Sequence, residues 1–148
     1  MKEARFGHAS CSMSDQIFVF GGSGTSSIEC HDVDGSNMWN TIIDRCSLVS
    51  RVFPAVAPMD QTKIVVFGGA QCKTGYVLNT STNMVSEILG ADTDLEFMCF
   101  TQVQRFSDHS FVTVGPVGGE FHKIKLSINY QRRCYETSSI ANLGVWNT

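Results

Sequence analysis

A short apolar run that ends in two glycines recurs along the chain, and it constrains the fold more than any other feature. The first copy spans residues 17–22 (Ile-Phe-Val-Phe-Gly-Gly), and the second spans residues 64–69 (Ile-Val-Val-Phe-Gly-Gly). A weaker third copy at residues 111–116 ends in Gly-Pro, and the copies follow one another at intervals of 47 residues. A constant period of this length is typical of a stacked-repeat architecture, in which each repeat is one supersecondary unit.

Each copy lies within a pattern of four short strands that are separated by turns. Asp and Asn in these turns favour hairpins because their side chains bond to the following backbone. The continuous hydrophobicity of the glycine-ended run predicts a strand that is buried on both faces. The strands are predicted at residues 9–13, 17–20, 28–31 and 38–42 in the first repeat, at 64–67, 76–78 and 83–88 in the second, and at 97–103, 109–114, 120–127 and 134–137 in the third. Residues 105–108 are predicted to form a turn.

The composition indicates a folded protein that does not bind nucleic acid. Hydrophobic residues make up 43% of the 148 residues and charged residues 17%, so a buried core is expected. The net charge is −3 and there is no long Lys/Arg cluster, which argues against a phosphate backbone as partner. No run approaches the ~18 apolar residues of a membrane helix, and no signal peptide is visible, so no membrane contact is predicted.

The six cysteines are scattered along the chain, and none forms a Cys-x-x-Cys pair. They lie on or beside the apolar runs, where a thiol behaves as a small hydrophobic group. This pattern predicts reduced thiols in or near the core and a cytoplasmic location.

With this repeat pattern, the chain resembles the kelch repeats of β-propellers. The family pattern combines an early Arg and His, an apolar run ending in Gly-Gly, an Asp in the turn after the third strand, and a Trp in the fourth strand. The first repeat supplies Arg5, His8, Gly21, Gly22, Asp32 and Trp39. The second keeps Arg51, Gly68 and Gly69 and has Asn79 at the Asp position, and the third keeps the apolar strand and Gly115.

This resemblance implies an all-β fold: a partial kelch-type β-propeller with about three four-stranded antiparallel blades in an open arc. The repeats are predicted at residues 1–46, 47–93 and 94–137, with residues 138–148 as a tail or the start of a further blade. The Gly pair lets a buried strand turn sharply, and the Trp is expected to fill the space between adjacent sheets. Three blades do not close a ring, because propellers use roughly four to eight. Three alternatives are therefore expected: the chain is a fragment of a larger propeller, it is half of a six-bladed ring formed by two copies, or blades are missing because the open reading frame is truncated.

The residues that could carry chemistry do not form a recognisable site. Cys30 and His31 are adjacent, but neighbours on a strand point to opposite faces. His8 and His109 are each expected near the inner end of a blade, and Cys72 lies beside Lys73 in a loop. No zinc-ligand spacing is present, and the copper constellation of the kelch-type oxidases has no counterpart. The sequence predicts no enzyme activity, no metal and no cofactor.

The predicted function is that of a non-catalytic protein-interaction module that presents loops to a partner. In a four-stranded meander, the loop between strands two and three and the linker to the next blade emerge at the same end of the sheet, and recognition usually lies in such loops. The predicted partner-binding residues at this end are Ser23, Thr25, Arg45, Arg51, Gln71, Lys73, Asp92 and Asp94. The resemblance implies a ubiquitin-ligase, actin or signalling scaffold as partner, and self-association could complete a ring. The alternatives are an enzyme or small-ligand-binding propeller, and a truncated, degenerate relative without independent activity.

Overall fold

The structure of the protein, a computed structural model, is all-β and contains twelve strands in the part of the chain that it describes. The described residues are 1–35, 37–70, 72, 74–90, 103–107, 109–117, 120–129, 132 and 134–144. The strands are β1 (Ala9–Met13), β2 (Gln16–Phe20), β3 (Ile28–Asp32), β4 (Trp39–Ile43), β5 (Ala55–Pro58), β6 (Lys63–Phe67), β7 (Gly75–Asn79), β8 (Met84–Gly90), β9 (Gln104–Ser107), β10 (Ser110–Val117), β11 (Glu120–Asn129) and β12 (Cys134–Gly144).

The strands form three successive four-stranded antiparallel meanders, which we call blades 1, 2 and 3. Blade 1 has the order β1-β2-β3-β4, blade 2 follows as β5-β6-β7-β8, and blade 3 is β9-β10-β11-β12. A short parallel pairing of β8 with β12, at Leu89 opposite Cys134 and Gly90 opposite Tyr135, joins the outer edges of blades 2 and 3. The first strands of the blades lie side by side, β1 next to β5 and β5 next to β9. The predicted all-β fold of three four-stranded blades in an open arc is confirmed.

Local turn chemistry explains why the strands end where they do. In the turn between β5 and β6, the Asp60 carboxylate accepts hydrogen bonds from the Thr62 backbone N–H at 2.8 Å and from the Thr62 hydroxyl at 3.0 Å. Burial raises the pKa of Asp60, but the hydrogen bonds from Thr62 and the nearby Lys63 ammonium together lower it by more. The pKa of Asp60 therefore lies below its ordinary value. The turn after β7 uses Asn79 in the same way, because its side-chain oxygen accepts a bond from the Ser81 N–H at 3.0 Å.

The core consists of two apolar layers, one on each side of blade 2. Strand β6 supplies both layers, since Ile64 and Val66 point to blade 1 while Val65 and Phe67 point to blade 3. The prediction that the glycine-ended run of the second repeat is buried on both faces is therefore correct. Phe67 meets Phe111 of blade 3 edge to face, with ring centroids 5.6 Å apart. Other large side chains that are fully buried in these layers are Phe18, Phe20, Ile28, Val49, Tyr76, Leu78, Ile124 and Leu126.

The two Gly-Gly pairs adopt the same backbone conformation. Gly21 and Gly68 have φ values of 59° and 57°, and Gly22 and Gly69 have φ values of 107° and 109°. These values lie in regions that L side chains rarely adopt, so glycine is the residue that fits. A Cβ on Gly21 would also lie 2.6 Å from the carbonyl oxygens of Val49 and Arg51. The pair therefore lets the segment between β4 and β5, which we call the β4–β5 linker, approach the end of β2.

The third repeat differs from its sequence-based prediction. The predicted first strand at residues 97–103 lies outside the described residues except for Val103, which is not in a strand. Residues 105–107 of the predicted turn at 105–108 belong instead to the edge strand β9 (Gln104–Ser107). Strand β9 is held by backbone pairing with β10 and has four exposed side chains, so no apolar pattern marks it.

The last strand is also longer than predicted, because residues 138–144 of the predicted tail continue β12. Strand β12 pairs with the ten-residue β11 as far as Phe121 opposite Gly144. Backbone hydrogen bonding to the long strand β11 extends β12 over residues whose side chains show no strand pattern. Among the described side chains of β11, burial alternates, since Ile124 and Leu126 are buried while Lys123 is exposed.

Trp39 does not fill the space between the described blades, contrary to expectation. Its indole stacks on the His31 imidazole with ring centroids 5.1 Å apart. Cys30 points into the layer shared with blade 2, so His31 and its cross-strand partner Trp39 point to the opposite face. Trp39 therefore belongs to the face of blade 1 that is directed away from blade 2.

Candidate functional site

The arginine that opens each of the first two repeats is a structural clamp. Arg51 donates from Nε to the Leu48 carbonyl at 2.6 Å and from Nη1 to the Gly68 carbonyl at 2.9 Å. It also binds Thr74, whose hydroxyl accepts from Nη2 at 2.8 Å and whose carbonyl accepts from Nη1. The guanidinium carbon lies 5.2 Å from the centroid of the Tyr76 ring. This clamp ties the linker to the start of β7.

Arg5 makes the equivalent clamp in the first repeat. Its Nη1 donates to the Gly21 carbonyl at 3.0 Å and to the Ser27 carbonyl at 3.1 Å, and its Nη2 donates to the Ser27 hydroxyl at 2.9 Å. In the place of Tyr76, blade 1 has Glu29, which forms an ion pair with Arg5 in which both side chains are fully buried. The Glu29 carboxylate also accepts the backbone N–H of Lys2 at 2.6 Å and that of Glu3 at 3.2 Å. The N-terminal residues are thereby fixed to blade 1.

Two of the predicted partner-binding residues are buried and serve the fold. Arg51 is 4% exposed and Thr25 is 8% exposed. The Thr25 hydroxyl bonds to the Glu3 carboxylate, as does the Ser27 hydroxyl at 2.6 Å. The Ser27 and Thr25 bonds hold the pKa of Glu3 below its ordinary value. Arg51 and Thr25 are thus not available to a partner in this structure.

Two of the loops predicted to share one end of the blades, the β2–β3 loop and the β4–β5 linker, lie together in the structure. The Cys46 N–H donates to the Ser26 carbonyl at 3.1 Å, which joins the β4–β5 linker to the β2–β3 loop. At this end Ser23 and Arg45 are exposed, and the Arg45 side chain is 90% exposed. A partner-binding role for these two residues stays a prediction. Gln71, Lys73, Asp92 and Asp94 lie outside the described residues.

An aromatic pair at the same end was not predicted from the sequence. Phe6 is 67% exposed and meets the Phe53 ring edge to face, with centroids 5.3 Å apart. The backbone around the pair is held on both sides, because the Ser23 N–H donates to the Phe6 carbonyl at 2.7 Å and the Phe53 N–H donates to the Gly7 carbonyl at 2.6 Å. The alignment of Arg5-Phe6-Gly7 with Arg51-Val52-Phe53 is the one sequence signal that could have indicated it.

We call the exposed residues at this end the linker-end surface. It combines an apolar aromatic centre with small polar groups and charged side chains. Arg45 and Asp44 form a solvent-exposed ion pair at 3.9 Å within it. The surface comprises the exposed residues Phe6, His8, Ser23, Gly24, Asp44 and Arg45, together with the half-buried Phe53.

The remaining candidate chemical groups are dispersed. Burial and the Asp32 carboxylate raise the pKa of the Cys30 thiol, while His31 lies on the opposite face, as predicted. The Cys72 sulfur lies 3.6 Å from the Thr74 hydroxyl. Among the residues that the structure describes, no three His, Cys, Asp or Glu side chains are grouped to hold a metal ion. Within the same residues, no helix is long and apolar enough to cross a membrane.

The inner strands of the three blades form a groove of about 540 Å³. Ser10 and Ser12 of β1 line one side, Pro58 of β5 lies between, and Gln104 and Arg105 of β9 line the other side. This groove is the position at which the alternative prediction of a small-ligand-binding propeller would place its ligand.

Cys11 is a free cysteine, and its burial predicts how fast its thiol reacts with an alkylating reagent. Burial raises the pKa of Cys11 to about 12, so almost no thiolate is present at pH 8. We expect iodoacetamide to alkylate Cys11 at least about a hundredfold more slowly in the folded protein than in guanidinium chloride, because the thiolate is the nucleophile. Peptide mass spectrometry of samples quenched at intervals measures both rates. Equal rates in the two conditions would contradict the burial of this side chain.

Comparisons with known proteins support the fold. No protein-family model and no curated protein sequence matches the chain. Among solved structures, the chain is similar to YjhT, a kelch-like β-propeller protein, with a TM-score of 0.72 and 12% sequence identity. The likeness covers 93% of this chain and 51% of the YjhT chain, so this chain spans about half the length of that protein. A chain in the structure of S. cerevisiae Dbp5 bound to Nup159, Gle1, IP6 and ADP is matched at a TM-score of 0.39 and 11% identity, over 88% of this chain and 46% of that chain. The likeness to YjhT supports an all-β fold that resembles a β-propeller.

Proposed function

We propose that the protein is a non-catalytic interaction module that binds a protein partner through the linker-end surface, with Phe6 as the anchor. The observation that supports this proposal is the 67% exposure of a phenylalanine whose backbone is fixed by neighbouring loops. A large aromatic side chain on a rigid scaffold loses little conformational entropy on binding, and Phe is among the residue types enriched in the cores of protein interfaces.

The surroundings of Phe6 have the composition of an interface. The Phe53 ring supports one edge of Phe6, and Ser23 lies beside it in an exposed loop. Arg45 and Asp44 add charges that are highly exposed, at 90% and 69% of their side chains. An aromatic centre with a polar and charged rim is typical of a protein-binding surface.

The first test replaces Phe6 with alanine. We expect Phe6→Ala to weaken partner binding by at least about tenfold, because truncating an interface anchor costs about 2 kcal/mol or more. Affinity purification with the immobilised protein identifies the partner, and titration calorimetry with the purified partner measures the loss. Arg45→Ala should have a smaller effect on affinity and a larger one on the association rate, since rim charges steer the encounter.

Phe106→Ala is the matched control. Phe106 is a phenylalanine of similar exposure, 71%, and it lies on β9 in blade 3, away from the linker-end surface. Its replacement should leave partner binding unchanged. Equal binding by wild type and Phe6→Ala would overturn the proposal. Loss of binding on replacing Arg105 with alanine, but not Phe6, would favour the alternative of a ligand-binding groove between the inner strands.

A further inference from the structure

Blade 1 presents a sheet face that no described element of the chain covers completely. Cys30 points to blade 2, so Ile17, His31 and Trp39 belong to the opposite face. Part of this face is covered by the N-terminal residues that bond to Glu29. Ile17, His31 and Trp39 remain partly exposed, and the His31–Trp39 stack covers one side of the indole.

Blade 3 presents a face of a different chemistry at the other end of the arc. Ile124 and Leu126 point to blade 2, so Lys123 and Lys125 point away from it. Their cross-strand partners on β10 are Val114, which is 42% exposed, and Val112. This face therefore carries two ammonium groups above a strip of valine.

We propose that these two faces bind each other between two copies of the chain, so that two three-bladed arcs close one six-bladed ring. Blade 1 of each copy packs on blade 3 of the other, and a two-fold axis relates the two identical interfaces. Each interface places Lys123 and Lys125 opposite the His31–Trp39 stack. A Lys ammonium above an indole face is an attractive cation–π arrangement, and the valines meet Ile17.

The size of the arc agrees with this assembly. The chain matches 51% of the YjhT chain, a β-propeller protein, with 93% of its own length. The part of a ring left open is thus about the size of a second copy. Closure would also cover the two terminal faces, which an open stack of sheets leaves exposed to water.

The test is the mass of the 148-residue protein in solution, measured by light scattering after size-exclusion chromatography over a range of concentrations. We expect a species of twice 16.3 kDa. Trp39→Ala alters the blade 1 face, and the double variant Lys123→Glu with Lys125→Glu alters the blade 3 face. Each should raise the dimer dissociation constant at least tenfold. Met84→Ala, an exposed residue of blade 2, is the control that should leave the dimer unchanged.

A mixture of the two altered proteins distinguishes this ring from other dimers. In the mixed dimer one interface combines two unaltered faces, so mixing should restore part of the dimer that each variant lacks alone. Circular dichroism and thermal unfolding of each variant verify that it is folded. A monomer at every concentration, open-ended growth, or a dimer that survives both sets of substitutions would overturn the proposal. Loss of the dimer in Trp39→Ala alone would do so as well, since it indicates two blade 1 faces in contact.

Discussion

Replacing Gly21 with alanine is expected to lower the free energy of unfolding by roughly 2–5 kcal/mol. The φ value of 59° costs an L residue about 1–2 kcal/mol. The new Cβ would also lie 2.6 Å from the carbonyl oxygens of Val49 and Arg51, which are backbone atoms and yield only if the linker shifts. Forced overlap of this kind adds about 1–3 kcal/mol. Urea unfolding followed by circular dichroism measures the loss.

Gly24→Ala is the matched control because it separates backbone strain from overlap. Gly24 has a φ value of 82°, but a Cβ there would meet no atom within 4 Å. Its replacement should therefore cost only the backbone term of about 1–2 kcal/mol. If the two alanine variants lose equal stability, the linker does not pack against Gly21 as described.

Removing the Glu29 carboxylate is expected to have an effect of similar size. Glu29→Ala leaves the fully buried guanidinium of Arg5 with only the half-exposed Glu3 carboxylate, 3.5 Å away, as counter-charge. Truncating one partner of a buried ion pair costs about 3–5 kcal/mol. It also removes the acceptor of the Lys2 and Glu3 N–H groups. Chemical denaturation should show the loss, and hydrogen exchange should show less protection of these two amides.

Two further variants test whether the cost comes from the buried charge of Arg5. Replacing both Arg5 and Glu29 with methionine should recover part of the stability that Glu29→Ala loses, since no isolated charge remains. Asp44→Ala breaks the exposed pair with Arg45, and it should change stability by less than about 1 kcal/mol. A double variant no more stable than Glu29→Ala would indicate that the clamp bonds of Arg5, rather than its charge, hold blade 1 together.

Seven of the eight strands of the first two repeats could be predicted, the exception being β5, because the sequence around them carries the physical causes of their boundaries. The apolar run at residues 64–67 needs burial on two faces, and Gly68 and Gly69 need the φ values that only glycine adopts readily. Blade 3 has weaker local signals. Strand β9 is exposed and polar, and β12 is extended by its backbone pairing with β11, so neither follows from side-chain pattern alone.

The candidate site was predictable as a location and in two of its residues, Ser23 and Arg45, but not in its aromatic pair. The meander topology implies that the β2–β3 loop and the β4–β5 linker meet, and they do. Arg51 was expected at the surface because a loop arginine usually is, but the carbonyl groups of Leu48 and Gly68 enclose its guanidinium. Phe6 was missed because an aromatic residue next to a repeat motif suggests core, and its exposure depends on the course of three loops in space.

The two arginine clamps indicate how far the sequence of such a repeat can diverge while the repeat can still be recognised. The two guanidinium groups share the same kinds of acceptor, a glycine carbonyl and the carbonyl and hydroxyl of Ser27 or Thr74. They differ in their other neighbours, since Arg5 pairs with Glu29 whereas Arg51 lies over Tyr76 and bonds to the Leu48 carbonyl. The information that specifies the blade end thus lies in an arginine, a glycine pair, and a serine or threonine six residues after the first glycine. A sequence profile weighted on these positions should detect degenerate blades that have lost their histidine, aspartate and tryptophan.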